Sequence, residues 1–262
     1  MKAEIQIFKN VIRETAIYRS NTIASFLVIL VPVLFLLVFW NAAFRSTNSI
    51  GGYSKEQLFA YYLSIIVLQD ILMISVNYEI SGDIRSGQLS SFLLRPFHYL
   101  KHCLSVYSAV SFNSLLYTVP LVVPMIAYLT PGFFSPTAGW VVGFTSVILA
   151  AMIAFFFGSL LGCISFWMED VSSLQAGLGI FVPILSGAFL PLSFFPDWFR
   201  RIIQFLPFRY SLSFPVEVLS SRLSLEVALQ GLGMQMVWVV IGAVLLKFVW
   251  ERGQNVYTAY GA

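Results

Sequence analysis

The sequence is short of charge. Only 10% of its 262 residues are Asp, Glu, Lys or Arg, whereas soluble domains carry roughly 25%. Hydrophobic residues make up 58% of the chain, and no polar stretch is long enough for a separate soluble domain, which needs about 50 residues. This balance excludes an ordinary soluble fold and predicts an integral membrane protein built almost wholly from its membrane spans.

Cysteine and histidine are scarce as well. Cys103 and Cys163 lie in or beside apolar runs, so a disulfide framework is not expected. His98 and His102 have the spacing of two ligands on one helical face, but a zinc site needs three or four ligands, so we predict no metal site. The chain also lacks a Gly-x-Ser-x-Gly elbow and a convergent nucleophile and base, so we predict no catalytic residues.

No lysine follows a glycine, which excludes the Gly-Lys-Ser/Thr of a phosphate-binding loop and ATP binding of that kind. The net charge of +3 is too small and too scattered to indicate a nucleic-acid partner. It suits a protein held against anionic lipid headgroups.

Six apolar runs predict six transmembrane helices, because about 20 residues at a rise of 1.5 Å cross a hydrocarbon core of roughly 30 Å. They lie at about 23–44, 57–78, 103–129, 138–167, 174–192 and 227–249. Before them, residues 2–20 place apolar groups on one helical face, which indicates an amphipathic helix on the inner leaflet; a plain cytosolic tail is the alternative. We therefore predict one all-α membrane domain, 1–262, with an interfacial helix at 1–21, spans within 22–250 and a cytoplasmic tail at 251–262.

The segment 79–102 carries much of the charge between the second and third spans. Leu89, Phe92, Leu93 and Phe97 recur in it at helical spacing, and Pro96 interrupts the helix. We expect Leu89, Leu93 and Phe97 to seat this helix. This pattern predicts a short amphipathic helix at the membrane surface, placed to pass a push from a soluble partner into the membrane. An ordinary juxtamembrane loop is the alternative.

Two acidic features accompany the spans. Asp70 is the one acid predicted well inside the bilayer, where it would face a polar cavity or make an interhelical hydrogen bond. Glu169 and Asp170 lie in the turn 167–173, on the same membrane side as 79–102 if every span crosses once. Asp170 would also be a good N-cap for the fifth span.

The segment 191–207 is apolar but punctuated by prolines, with Arg200 and Arg201 near its middle. This pattern predicts a helical hairpin that dips into the outer leaflet without crossing, with Trp198 at the interface. Lys and Arg favour the side of the N-terminus by nine to six, which predicts cytoplasmic termini.

The order of these parts resembles a type-2 ABC exporter permease, a group that includes the viologen and multidrug exporter permeases. The segments that carry the resemblance are Ile-Arg-Ser-Gly-Gln-Leu-Ser-Ser-Phe-Leu-Leu-Arg-Pro at 84–96 and Ser-Gly-Ala-Phe-Leu-Pro-Leu-Ser-Phe-Phe-Pro-Asp-Trp at 186–198. Phe-Pro-Val-Glu at 214–217 and Trp-Glu-Arg-Gly at 250–253 add to it.

The resemblance implies a non-catalytic translocation subunit of the cell (inner or plasma) membrane that works with separate ATPase subunits and a second permease, identical or homologous. ATP and magnesium would bind the partner ATPase, and this chain would hold no cofactor. The substrate exported would be amphipathic, lipidic or drug-like.

It also implies roles for single residues. Segment 84–96 would be the main coupling helix and the turn 167–173 the minor one, and the residues expected to contact the ATPase are Asp83, Arg85, Leu89, Phe92, Leu93, Arg95, Pro96, Glu169 and Asp170. The expected path-lining residues are Phe35, Phe39, Asp70, Phe181 and Phe189, with lipid contact as the alternative for each aromatic. The outer hairpin would include Phe194, Phe195, Trp198, Arg200 and Arg201, the two arginines meeting headgroups or a buried salt-bridge partner.

Two other classes remain open. A stand-alone channel or ion-driven carrier would need several charged groups at mid-membrane, and the sequence offers Asp70. A membrane enzyme would need a nucleophile and a base that converge, and the sequence offers no such set.

Overall fold

The computed structural model describes residues 6, 10, 31, 33–72, 76–94, 98–131, 139–168 and 170–257. Its helices, in chain order, are α1 Val33–Ala43, α2 Lys55–Leu72, α3 Val76–Arg85, α4 Gln88–Leu93, α5 Tyr99–Leu129, α6 Gly139–Cys163, α7 Ser172–Leu185, α8 Asp197–Ile203, α9 Pro207–Ser211, α10 Ser213–Leu219 and α11 Leu225–Val256. Single 3₁₀ turns lie at Ile164–Phe166 and Leu192–Phe194. The described part of the chain contains no β-strand, which confirms the predicted all-α class.

Among the described residues, four helical segments are long and apolar enough to cross a membrane, and each matches a predicted span. They are Lys55–Arg85, Tyr99–Leu129, Trp140–Phe166 and Leu225–Val256. The last of them is longer at both ends than the predicted span 227–249. The first residues of the predicted tail at 251–262 therefore belong to α11. In α5 the helix continues through Pro120 and Pro124.

Of the other two predicted spans, 23–44 lies partly outside the described residues, and 174–192 is shorter in the structure than predicted. Most of the residues before Val33 lie outside the described part of the chain, so α1 represents only the end of the predicted span 23–44. The predicted span 174–192 corresponds to α7, which has 14 residues and ends at Leu185. At 1.5 Å per residue α7 is about 21 Å long, less than the roughly 30 Å of a hydrocarbon core. The predicted interfacial helix at 1–21 falls outside the described residues except for Gln6 and Asn10.

Helix α6 lies at the centre of the bundle and packs against α3, α10 and α11, while α2 packs against α5. Close approach of α3 to α6 depends on two glycines of α6. A Cβ atom added at Gly158 would lie 2.8 Å from Cγ1 of Val76, and one added at Gly162 would lie 2.8 Å from Cβ of Ile80. Small residues four apart let membrane helices approach closely, and Gly158 and Gly162 form such a packing surface here.

Polar contacts fix the same helices. Between α3 and the 3₁₀ turn, the Ser165 hydroxyl donates to the Ser81 hydroxyl at 2.7 Å, and both residues are buried. From α11, the Gln235 amide donates to the carbonyl oxygen of Ser146 on α6 at 3.0 Å and to that of Tyr210 on α9 at 2.8 Å. These bonds satisfy groups that are costly to leave unpaired in an apolar interior.

The bundle has two distinct ends. One end holds α4, the 3₁₀ turn Ile164–Phe166 and the C-terminus of α11, since the Ser90 hydroxyl lies 3.2 Å from that of Tyr257. The opposite end holds the loop before α2 and the connector before α11, since Arg222 donates to the carbonyl oxygen of Gly52 at 3.0 Å. The predicted coupling and outer segments thus lie at opposite ends.

Two glycines of α11 allow a paired test of the packing. A Cβ atom at Gly231 would collide with the ring of Phe214, which is buried, whereas one at Gly233 would meet nothing within 4 Å. We expect Gly231→Ala to lower the free energy of unfolding by about 1–3 kcal/mol through overpacking. Gly233→Ala should leave it unchanged or raise it by up to about 1 kcal/mol through helix propensity. Thermal unfolding of the purified protein in detergent, followed by size-exclusion chromatography, measures both; equal midpoints would contradict the close packing.

Candidate functional site

Helix α4 is separated from α3 by one residue in the left-handed backbone conformation. Helix α3 ends at Arg85, and Gly87 follows with φ +78°, in the left-handed region that favours glycine. The carbonyl oxygen of Gly87 then accepts from the N–H of Ser90 at 3.1 Å and begins the new helix. The glycine therefore turns α4 away from the direction of α3.

Leu89 holds α4 on the bundle. Its side chain is completely buried, at 0% exposure, in an apolar cluster that also contains Ile84, Tyr99, Phe166 and Trp250. These residues come from α3, α5, the 3₁₀ turn and α11. One leucine of α4 is thus in contact with the cluster in which four other elements meet, and burying such a side chain contributes about 1.5–3 kcal/mol.

The outer side of α4 differs from the sequence expectation. Leu93 is expected to seat the helix with Leu89 and Phe97, but its side chain is 43% exposed, and that of Leu94 is 88% exposed. Phe97 lies outside the described residues. Phe92 takes the inward position, with its ring centroid 5.3 Å from that of Tyr99 and 4.9 Å from that of His102. The helix has only six residues, fewer than two full turns. We attribute the inward position of Phe92 to its contacts with the Tyr99 and His102 rings.

Tyr99 connects the end of α3 to α11. Its hydroxyl donates to Oδ2 of Asp83 at 2.6 Å. Its ring stacks on Trp250 with centroids 5.2 Å apart and planes 8° from parallel. Asp83, predicted to contact a partner, therefore already has a partner within the chain.

The C-terminus of α11 completes this end. Tyr257 lies within hydrogen-bond distance of Ser90 on α4, and its ring meets that of Phe166 edge-on at 5.9 Å. Next to it, a Cβ atom at Gly253 would collide with the Phe166 ring. Helix α4 is thus attached to α11 directly as well as through Leu89.

Asp170 lies near the same end. Its carboxylate accepts from the backbone N–H of Ser172 at 2.8 Å, but the N-cap of α7 is Val171. Asp170 lies one residue before it, so the prediction that Asp170 is the N-cap is wrong. The hydroxyl and backbone N–H of Ser172 hold the pKa of the Asp170 carboxyl below its ordinary value, and the charge of Arg85 lowers it further. The structure therefore brings Arg85 and Asp170 near each other, both exposed to solvent. The remaining predicted contacts, Arg95, Pro96 and Glu169, lie outside the described residues.

The predicted path residues do not form one lined channel within a single chain. The rings of Phe35 and Phe39 stack with centroids 6.0 Å apart on the outside of α1, where both are at least half exposed. Phe181 and Phe189 are also exposed. Of these aromatics, Phe189 lies near α2, since its carbonyl oxygen accepts from the Tyr62 hydroxyl at 3.1 Å.

Asp70 makes the interhelical hydrogen bond that the sequence left as one of two alternatives. Its carboxyl accepts from the Thr118 hydroxyl, which joins α2 to α5. Asp70 is half-buried and Thr118 is buried. The aspartate therefore has a packing role between two helices.

At the opposite end, the segment after α7 folds back over the loop before α2. Phe194 packs against Tyr53 and Trp40, with ring centroids 6.1 Å apart in each pair, and lies where a Cβ at Gly51 would collide. The Ser193 hydroxyl donates to the carbonyl oxygen of Gly51 at 3.2 Å. This part of the predicted hairpin therefore closes the end of α1 and α2.

The rest of that segment is more exposed. Trp198 is 64% exposed, and the Phe195 ring lies 4.8 Å from the ring of Phe199. Arg200 pairs with Asp197, three residues earlier, and both side chains face solvent, so the buried salt bridge left open for Arg200 is wrong. Arg201 is exposed as well.

Sequence reasoning missed two contacts at this end. Arg209 and Glu217 form an ion pair at 2.8 Å in which both side chains are largely shielded from solvent. The Arg222 guanidinium lies 3.5 Å from the centre of the Tyr53 ring, a favourable cation–π distance. The Phe-Pro-Val-Glu stretch that ends at Glu217 carries part of the family resemblance but does not indicate an ion pair with Arg209, and no local pattern links Tyr53 to Arg222.

The fold and this site define a helical integral membrane protein whose helices are joined by apolar clusters and buried polar bonds. The family model described as ABC-2 family transporter protein matches residues 30–261. The chain belongs to that family, which makes it a membrane component of the ABC transporter type, as the sequence resemblance predicted. No curated protein matches the chain.

The Tyr99–Asp83 hydrogen bond can be tested within α5. Tyr99→Phe keeps the ring stacked on Trp250 but leaves the half-buried Asp83 carboxyl without its donor, which we expect to lower the stability by about 1–3 kcal/mol. Tyr128→Phe is the matched control, because Tyr128 lies on the same helix and is 85% exposed. Thermal unfolding in detergent compares the two variants, and an equal effect of both would show that the bond contributes nothing.

Proposed function

We propose that the chain is the non-catalytic translocation subunit of an ATP-driven exporter and that α4 is where a separate ATPase subunit attaches. One observation carries the proposal: α4 is anchored by buried Leu89 while it presents Leu93 and Leu94 outward at one end of the bundle. Exposed apolar groups beside charged ones are typical of a protein–protein contact. Arg85 and Asp170 supply the charge at the same end.

The buried contacts of α4 would transmit its movement to the transmembrane helices. A partner that moves α4 acts through Leu89 on the cluster shared by α3, α5 and α11, and through Tyr257 on the end of α11. Packed interiors transmit displacement because they have few voids. The spans would then shift between inward and outward openings by rigid-body movement.

The ATP and magnesium chemistry belongs to the partner in this proposal, with the α4 end and both termini cytoplasmic. A second permease, identical or homologous, would cover the exposed aromatics of α1 and α7 and enclose the path. Phe35, Phe39, Phe181 and Phe189 all face outward from a single chain, which supports a path formed between two chains. The exported substrate would be amphipathic, lipidic or drug-like.

The competing channel or ion-driven carrier has less support. Such a protein needs charged groups available to its cargo at mid-membrane, and Asp70 is engaged by Thr118. A neighbouring reading frame that encodes an ATPase would separate the two functions at no experimental cost.

Substitutions on α4 test the coupling role. We expect Leu93→Asp and Leu94→Asp to weaken co-purification with the ATPase subunit by about tenfold or more and to abolish stimulated ATP turnover, since a charge would replace an apolar contact of about 1–2 kcal/mol. Arg95→Glu should act in the same direction. Each variant is co-expressed with the ATPase and measured by pull-down and by ATP hydrolysis.

Leu225→Asp is the matched control for this experiment. Leu225 is 51% exposed at the start of α11, at the opposite end of the bundle. It should insert, bind the ATPase and stimulate turnover as the unmodified chain does. Normal association and turnover in both α4 variants would overturn the coupling role.

A further inference from the structure

A cavity of about 430 Å³ opens within the single chain, between α2, α3, α6, α7 and α9. Its walls are mainly apolar, with Leu72, Phe157, Leu178 and Phe208 among them. Small-molecule sites in proteins usually measure about 300–1,000 Å³ and combine such walls with a few polar groups. The size and lining of this cavity therefore suit a small organic molecule.

The lining carries no formal charge among its described residues. Gln69 lies in the wall, but Asp70 beside it turns to the other side of α2 and bonds Thr118. An ion placed in the cavity would lose its hydration without gaining a counter-charge, which is costly. The cavity therefore selects for uncharged molecules.

One buried polar group in the wall has no partner. Gln175 is 6% exposed, and its Nε2 makes no hydrogen bond. The two serines of the wall, in contrast, bond to the backbone of their own segment: the Ser186 hydroxyl donates to the carbonyl oxygen of Pro183 at 3.4 Å and the Ser211 hydroxyl to that of Phe208 at 2.7 Å. An unpaired buried donor is costly, so a ligand that offers an acceptor to Gln175 would recover this free energy.

The same face of α7 leaves room for such a ligand. Gln175, Gly179 and Ser186 lie four and seven residues apart and share one side of the helix. A Cβ atom added at Gly179 would meet nothing within 4 Å. The missing side chain there leaves open space one turn from the amide.

We propose that this cavity binds a small, uncharged, largely apolar molecule with a carbonyl or ester oxygen, and that Nε2 of Gln175 donates a hydrogen bond to that oxygen. The volume sets the size of the ligand, the uncharged wall excludes ions, and the unpaired amide selects for an acceptor. The site belongs to one chain and does not depend on an ATPase partner.

Photolabelling of the purified full-length chain tests the site. Benzophenone is uncharged and apolar, carries one carbonyl acceptor, and crosslinks to neighbouring C–H groups on irradiation. Without ATP or ATPase present, we expect the labelled peptides identified by mass spectrometry to come from the walls on α6 and α7. Phenyl benzoate, an ester, should suppress this labelling at about tenfold lower concentration than diphenylmethane, which has no acceptor, as expected for one recovered hydrogen bond.

Three variants sharpen the test. Gln175→Met keeps the side-chain length but removes the donor, so it should abolish the advantage of the ester while leaving thermal stability equal or higher. Gly179→Leu should fill the cavity and reduce labelling several-fold. Gly177→Leu is its control, because a Cβ atom at Gly177 also meets nothing within 4 Å but Gly177 does not line the cavity.

Labelling confined to other surfaces, equal labelling of the Gly179 and Gly177 variants, or equal competition by phenyl benzoate and diphenylmethane would each overturn the proposal. Since the measurement uses the permease alone, such a failure leaves the coupling role of α4 untouched. A failure of that coupling role likewise leaves the binding result standing.

Discussion

The close contact between α3 and α6 is the constraint on which the arrangement depends. Helices in hydrocarbon gain no hydrophobic advantage by associating, because lipid tails are as apolar as their side chains. Association then rests on close van der Waals packing and on polar bonds between helices. Gly158 and Gly162 supply the first by admitting Val76 and Ile80, and the Ser165–Ser81 bond supplies the second one turn further on.

That contact also decides where α4 lies. Helix α3 is held against α6 along its length, so the turn at Gly87 begins from a fixed position. Leu89 then reaches the cluster formed with Tyr99 and Trp250, while Leu93 and Leu94 are left outside. The exposed apolar end of α4 is therefore a product of packing deep in the bundle and of one left-handed residue.

The long helices were predictable because an apolar run of more than about 20 residues has few alternatives in a membrane. The C-terminal end of α7 was not predictable in this way. Several glycines and Pro183 lie within 174–192, and any of them could end the helix. The chain turns at Gly187, whose carbonyl oxygen accepts from the Tyr61 hydroxyl, while that of Ser186 accepts from the N–H of Ser213. Those partners lie on distant elements that no local pattern reveals.

The candidate site shows the same division. Helical spacing puts Leu89, Phe92 and Leu93 on one apolar face, but the structure buries Leu89 and leaves Leu93 exposed. Spacing alone does not say where the rings of Tyr99 and His102 will lie. For Asp70 the sequence left two alternatives, a polar cavity and an interhelical hydrogen bond. The structure shows the hydrogen bond, because Thr118 on α5 lies opposite Asp70.

The unbroken course of α5 through two prolines has a mechanical consequence. Proline has no N–H, so Pro120 and Pro124 deprive the carbonyls of Leu116 and Pro120 of their usual helical donors. These carbonyls lie four residues apart and therefore on one side of the helix. When α5 bends away from the side of these two carbonyls near Pro120 and Pro124, fewer backbone hydrogen bonds are broken than for a bend nearer Tyr99. The half of α5 close to α4 is therefore stiffer than the half that holds the prolines.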